Sequence, residues 1–245
     1  MTTKLLVDPS GLSQEQLDLI QQFEADYNAV DHFLRKSLGR EKQVPLSLLL
    51  TEYSSKHIGW RDTETLRTIA EVRNAIVHGK TAPYRYVAVP TPWTVQKLKT
   101  CKERLTNPGC AISKFERKVE TVSMNDTLAR VLKIIAQREY SQFPVYEGQR
   151  FLGLLTENGI TRWLARHVST ELSLVELDEV PVSQVLQNEE KRVNYHFVAR
   201  DTRLDDVRGL FAFHELLEAA LVTTNGKESE KLLGIATRWD IIHLA

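Results

Sequence analysis

The sequence predicts an α+β protein: an all-helical N-terminal part followed by two copies of a β-α-β-β-α unit. Three observations lead there. Apolar residues in the first hundred positions recur every three or four residues, the period of a helix buried along one side. A phrase that reads as strand, turn and helix occurs twice in the second part, around Gly153 and again around Gly234. Between the parts stands Asn107-Pro108-Gly109, the best linker candidate in the chain. Domains are therefore expected over 1–107 and 110–245, the second dividing into about 110–170 and 181–245.

The first helix opens at Ser13-Gln14-Glu15-Gln16, where Glu and Gln are available to complete a cap. Leu17, Ile20, Phe23, Tyr27, Val30, Phe33 and Leu34 form its buried stripe up to Gly39. A second helix is predicted over 45–57. A third runs from Asp62 to about Val77 on Leu66, Ile69, Val72 and Ile76. Pro90 and Pro92 interrupt the chain, and a fourth helix follows over 94–105 on Val95, Leu98 and Leu105.

Near the C-terminus, Leu232-Leu233-Gly234-Ile235-Ala236-Thr237-Arg238-Trp239-Asp240-Ile241-Ile242 reads as a buried strand that ends in a Thr and turns at once into an amphipathic helix. A strand end meets the unpaired N–H groups of a helix start there, a natural place for a phosphate or sugar. Thr237 offers a hydroxyl, Asp240 an acceptor for ribose hydroxyls, and Gly234 a backbone open to close approach. Arg238 adds a cation for a phosphate. The bland alternative for Thr237 and Asp240 is a capping box, Thr-x-x-Asp, that only satisfies the helix start. The earlier copy, Phe151-Leu152-Gly153-Leu154-Leu155-Thr156-Glu157-Asn158-Gly159-Ile160, keeps the Gly and Thr156, but Gly159 stands where the later copy has Asp240. Leu128 to Leu204 is 76 positions and Gly153 to Gly234 is 81, so the second copy carries about five extra residues. The loop from Thr223 to Lys231, with its Asn225-Gly226 hairpin signal, is the place expected for them.

Composition narrows the function without choosing it. Lys and Arg number 32, as do Asp and Glu, so net charge favours no particular partner; residues 1–107 hold about three more bases than acids. The two cysteines match no zinc spacing and make no disulfide framework. The histidines form no metal-ligand spacing, and neither a phosphate-binding Gly-x-x-x-x-Gly-Lys-Ser/Thr loop nor a Gly-x-Ser-x-Gly elbow occurs, so no metal is expected. No apolar run is long enough for a bilayer and Met1 to Ser10 does not read as a signal peptide; a cytoplasmic protein is the expectation. The four tryptophans are expected to pack rather than to stack on bases.

Late in the third helix stands Arg73-Asn74-Ala75-Ile76-Val77-His78-Gly79. On a continuous helix Arg73 and His78 point well apart, at about 100° per residue. If the helix ends near Val77, with Gly79 as its stop, His78 can swing toward Arg73. An imidazole beside a permanent cation suits metal-independent RNA cleavage, the His taking the 2′-hydroxyl proton and the guanidinium neutralising the phosphate.

Two resemblances follow from these motifs. The duplicated Gly-x-x-Thr phrase, together with Ser141-Gln142-Phe143-Pro144-Val145, resembles the cystathionine-β-synthase (CBS) domain family, whose tandem pair is called a Bateman module. That implies an adenosine-type nucleotide (AMP, ADP, ATP or a cyclic dinucleotide) as regulatory ligand, with Gly234, Thr237, Arg238, Asp240 and Thr156 around it. Arg-Asn-x-x-x-His in the third of four helices resembles the HEPN family, whose nuclease members carry Arg-x(4–6)-His. That implies Arg73 and His78 as a catalytic pair with Asn74 orienting, in a homodimer whose two motifs share a cleft; many members are noncatalytic. Three functions compete: a nucleotide-sensing regulatory protein acting through a dimerising HEPN-like domain, a nucleotide-regulated metal-independent endoribonuclease with RNA as partner, and a scaffold without chemistry. Apolar helix faces at Trp163-Leu164 and Ile241-Ile242-Leu244 are the expected dimer contacts.

Overall fold

Helix α1 (Gln14–Leu38) starts at a complete capping box, in which the Ser13 hydroxyl accepts from the Gln16 N–H and the Gln16 side chain accepts from the Ser13 N–H. It stops at Gly39, whose left-handed backbone (φ 63°) lets its N–H reach back to the carbonyls of Arg35 and Lys36. Helices α2 (Leu46–Lys56), α3 (Thr63–His78) and α4 (Pro92–Thr106) follow. Periodicity placed the start of the fourth two residues late, because Pro92 is not a breaker but the first residue of the helix, behind the N-cap Thr91. In this computed structural model, residues 12–41, 43–78, 86, 88–168, 176–189 and 193–244 are described, and the chain divides into two compact units, Met1–Pro108 and Gly109–Ala245.

In the first unit α1 packs on α2 and α4, and α3 on the same two helices. Phe23, Leu34, Leu66, Ile76, Leu98 and Leu105, from the stripes that the spacing predicts, fill the space between them together with Leu49 and Leu50 of α2. Two buried carboxylates are paired rather than stranded. Asp26 accepts from Lys102 Nζ at 2.5 Å and Gln22 Nε2 at 2.8 Å, and Asp62 accepts from the Arg104 guanidinium.

The second unit contains α5 (Ala111–Phe115), β1 (Val122–Ser123), α6 (Leu128–Arg138), β2 (Gln142–Glu147), β3 (Arg150–Thr156) and α7 (Glu157–Val168). It continues with α8 (Val182–Glu189), β4 (Tyr195–Ala199), α9 (Leu204–Phe213), β5 (Ala219–Thr223), β6 (Gly234–Thr237) and α10 (Arg238–Ile242). Each copy has a three-stranded sheet in which the first strand runs parallel to the second and the second antiparallel to the third. The β-α-β-β-α units are therefore present twice, as the sequence predicts.

The sequence gives no sign of α5 and α8, too short for periodicity to register, and these leading helices cross over. The N–H groups of Ala111 and Ile112 donate to carbonyls of the second copy, at Thr202 and Arg200. Those of Val182 and Ser183 donate to carbonyls of the first, at Asp126 and Met124. Between the sheets Phe151, Leu154, Ala219, Leu221 and Ile235 make a shared core, with Phe151 edge-on to Tyr146, Tyr195 and Phe197.

Strand pairing fixes the alignment of the copies. Gly153 pairs with Val145 and Val145 with Val122, while Gly234 pairs with Val222 and Val222 with Val198. Val145 to Gly153 spans eight positions and Val222 to Gly234 twelve, so four of the five extra residues lie in the β5–β6 loop and one before β5. Asn225-Gly226 is not a two-residue hairpin turn. Asn225 bridges to Ala199 on β4, and its backbone and side-chain N–H groups both donate to the Glu230 carboxylate at 2.6 Å.

Trp60 and Trp163 are buried as expected, but Trp93 is 72% and Trp239 71% exposed. Both stand in the first turn of a helix. Trp163 stacks on His167 inside the first copy, ring centroids 3.9 Å apart, and so is not free for a dimer contact; Ile242 is exposed.

Candidate functional site: the second strand–helix joint

Sheet β4-β5-β6 delivers Thr237 at the end of β6, and α10 begins on the next residue. The Asp240 carboxylate accepts through Oδ2 from the Thr237 N–H at 2.7 Å and from the Thr237 hydroxyl at 2.8 Å. The same oxygen accepts from Arg117 Nη2 at 2.6 Å. Arg117 lies in the segment between α5 and β1, and its Nε donates to the Ile235 carbonyl at 2.9 Å. The capping box is thus real and extended by an ion pair. Among the described residues Asp240 Oδ1 accepts no hydrogen bond, so one carboxylate oxygen is left for a ligand hydroxyl. Burial pushes the Asp240 pKa up, but the hydrogen bonds from Thr237 and the Arg117 guanidinium outweigh it and hold the carboxyl below its ordinary value.

These groups open on a cleft of about 380 Å³ between the copies. It is lined by Thr237, Trp239 and Asp240 from the second copy, by Tyr140, Ser141 and Gln142 from the first, and by the segment 117–120.

Not every residue singled out from the sequence faces that cleft. Gly234 does permit a close approach, but by the chain itself: a Cβ there would lie 2.0 Å from the Phe115 carbonyl oxygen. The Arg238 guanidinium turns to the end of α9, donating to the carbonyls of Phe211, His214, Glu215 and Leu217 at 3.0–3.3 Å. Thr156, 2% exposed, accepts from the Gly159 N–H at 3.0 Å and caps α7 in the first copy.

Arg117 is the residue that sequence reasoning missed. Counting back five positions from the aligned strand residues Val122 and Val198 places it opposite Val193. Among the described residues the first copy's joint has neither half of the ion pair, with Gly159 for Asp240 and Val193 for Arg117. The signal was available only after the copies had been aligned strand by strand.

In the helical unit, α3 is continuous through His78. The backbone is helical at both residues, so the Cα atoms of Arg73 and His78 stand about 140° apart around its axis. The His78 side chain and Gly79 lie outside the described residues. Arg73 and Asn74 line a groove of about 750 Å³ bounded by α1, α2 and α3. The Arg73 guanidinium sits over the Tyr27 ring, 5.3 Å from its centroid, and has no carboxylate partner among the described residues. Burial raises the Tyr27 pKa, an effect that Arg73 opposes. Nearby Arg35 is held bidentately by Asp31, and Arg67 donates to the Thr51 hydroxyl at 2.8 Å.

The CBS-domain family model matches residues 112–166. Solved structures similar to this chain include the CBS domain of a membrane protein from Sphaerobacter thermophilus, 19% identical over 61% of this chain and 96% of that one, TM-score 0.45. A CBS-domain protein from Thermoplasma acidophilum is 21% identical over 56% of this chain and 70% of that one, TM-score 0.43. A CBS-domain pair in complex with 5′-methylthioadenosine and S-adenosyl-L-methionine is 15% identical over 56% and 95%, TM-score 0.44. No curated protein sequence matches the chain. Among the described residues no helix is long and apolar enough to cross a membrane.

Proposed function

We propose that this protein is a nucleotide-sensing regulator, in which an adenosine-type nucleotide occupies the cleft at Thr237 and Asp240. The observation that carries this reading is the asymmetry between the joints. Of the two copies, only the second has the carboxylate, oriented by Arg117 and Thr237, with one oxygen unbonded among the described residues and the residue lining a cleft of ligand size. The match of residues 112–166 to the CBS domain, a nucleotide-sensing module, supports the ligand class. Arg238, Gly234 and Thr156 serve the framework around the site, through the backbone contacts described above.

The helical unit, read as HEPN-like, is the output. Nucleotide acts on it by preferring one dimer geometry over another, a coupling of roughly 1–3 kcal/mol in comparable systems. The test is thermal unfolding with AMP, ADP, ATP and a cyclic dinucleotide, alongside light scattering. A ligand at a hundred times its Kd adds about 2.7 kcal/mol to the stability of the protein. Asp240→Ala is expected to abolish that gain. A 28.1 kDa monomer in scattering counts against the dimer, and no stabilisation by any compound counts against the sensor.

The unpaired Arg73, facing the groove beside Asn74, favours a second reading in which the helical unit cleaves single-stranded RNA without metal. On that reading Arg73→Ala and His78→Ala each abolish cleavage and leave nucleotide binding intact. Cleavage that persists in both variants sinks it.

A further inference from the structure

We infer that the cleft selects a nucleoside or nucleoside monophosphate against di- and triphosphates, with Glu120 and Glu139 as the specificity-determining residues. The inference rests on the reading above that the cleft takes an adenosine-type ligand. Two basic side chains, Arg117 and Lys118, and three acidic ones, Glu120, Glu139 and Asp240, line it. Arg117 spends its Nε and Nη2 on the Ile235 carbonyl and on Asp240, whereas Lys118 has no carboxylate partner among the described residues. Neither Glu120 nor Glu139 has an ion-pair partner among the described residues. One phosphate can be matched by Lys118. A second and third add negative charge to a cleft lined by two carboxylates that no described side chain neutralises, a repulsion that salt screens only beyond roughly 8 Å.

The Glu139 backbone sharpens the point. Glu139 ends α6 with φ 56°, the one non-glycine residue in the left-handed region among the described residues. That cap sets Glu139 directly before Tyr140, Ser141 and Gln142, which line the same cleft. The remaining lining suits an uncharged ring and sugar. Tyr140 from one copy and Trp239 from the other offer aromatic surface to the cleft, and about 380 Å³ is near the lower end of small-molecule sites, roughly 300–1,000 Å³.

Calorimetric titration of the full chain with adenosine, AMP, ADP and ATP at about 150 mM salt tests this. Adenosine and AMP are expected to bind at least about tenfold more tightly than ATP. The double variant Glu120→Gln, Glu139→Gln is expected to close most of that gap through tighter ATP binding, with adenosine affinity changed by less than about twofold. Both carboxylates are at or near the surface, so the fold tolerates the change, which circular dichroism checks. ATP binding as tightly as AMP overturns the inference and leaves the sensor reading standing, as does an unchanged gap in the double variant. Silence from all four compounds overturns both.

Discussion

The two copies of the repeat share topology, strand register and even the use made of their glycines, and they part at the strand–helix joint. Gly153 and Gly234 occupy the same pairing position, and each receives the leading helix of the opposite copy: Leu186 of α8 over Gly153, Phe115 of α5 over Gly234. Packing has held these positions alike because each helix needs a place to dock. At the joints no such constraint acts. At the first, Thr156 caps α7 by accepting from the Gly159 N–H, whereas the second adds Asp240 and Arg117 to its capping Thr. Scaffold is what the copies have in common, and chemistry is what distinguishes them.

The largest effect expected separates the glycines. A Cβ at Gly234 would overlap the Phe115 carbonyl at 2.0 Å, backbone that cannot step aside, while at Gly153 it would meet the end of the Leu186 side chain at 3.2 Å on a backbone, φ 156°, that itself disfavours a side chain. Gly234→Ala is expected to cost the second unit about 3 kcal/mol and Gly153→Ala about 1–2 kcal/mol, read from urea midpoints. Equal losses would mean that the docking contacts are not what fixes these glycines.

The joint itself gives a smaller effect with a pH signature. The folded-state pKa of Asp240 lies below its ordinary 3.8, so its contribution is fully present above that value and is lost as pH falls through the depressed pKa. Asp240→Asn is expected to cost about 1 kcal/mol near pH 7, mostly the cap, since Arg117 is 43% exposed and its pair is screened. The variant should also lack the wild-type loss of stability below pH 3.8. An acid limb identical in the two proteins would assign that loss to other carboxylates.

Smallest is the effect of building the missing pair into the first copy. Gly159→Asp with Val193→Arg, analysed as a double-mutant cycle, is expected to give a favourable coupling of about 0.5 kcal/mol. A coupling of zero or the opposite sign would show that the joints differ in backbone path as well as in side chains.

The sequence determined the element types, the duplication and the cores, because each is written in local order. The capping box at Ser13, the stripes of the first four helices and the repeated Gly-x-x-Thr all act between residues a few positions apart. The same locality explains the readings that failed: Pro92 resembled a breaker because its place at a helix start depends on Thr91, and Asn225-Gly226 resembled a tight turn because Glu230 and Ala199 were out of view. Tertiary structure alone decided what the joint residues do. Arg117 reaches Asp240 across 123 positions, Phe115 fills the space that Gly234 leaves, and Arg238 turns from the cleft to the end of α9. A side chain's partner is set by where the chain crosses over, and α5 and α8, which make that crossing, are too short to carry a period of their own.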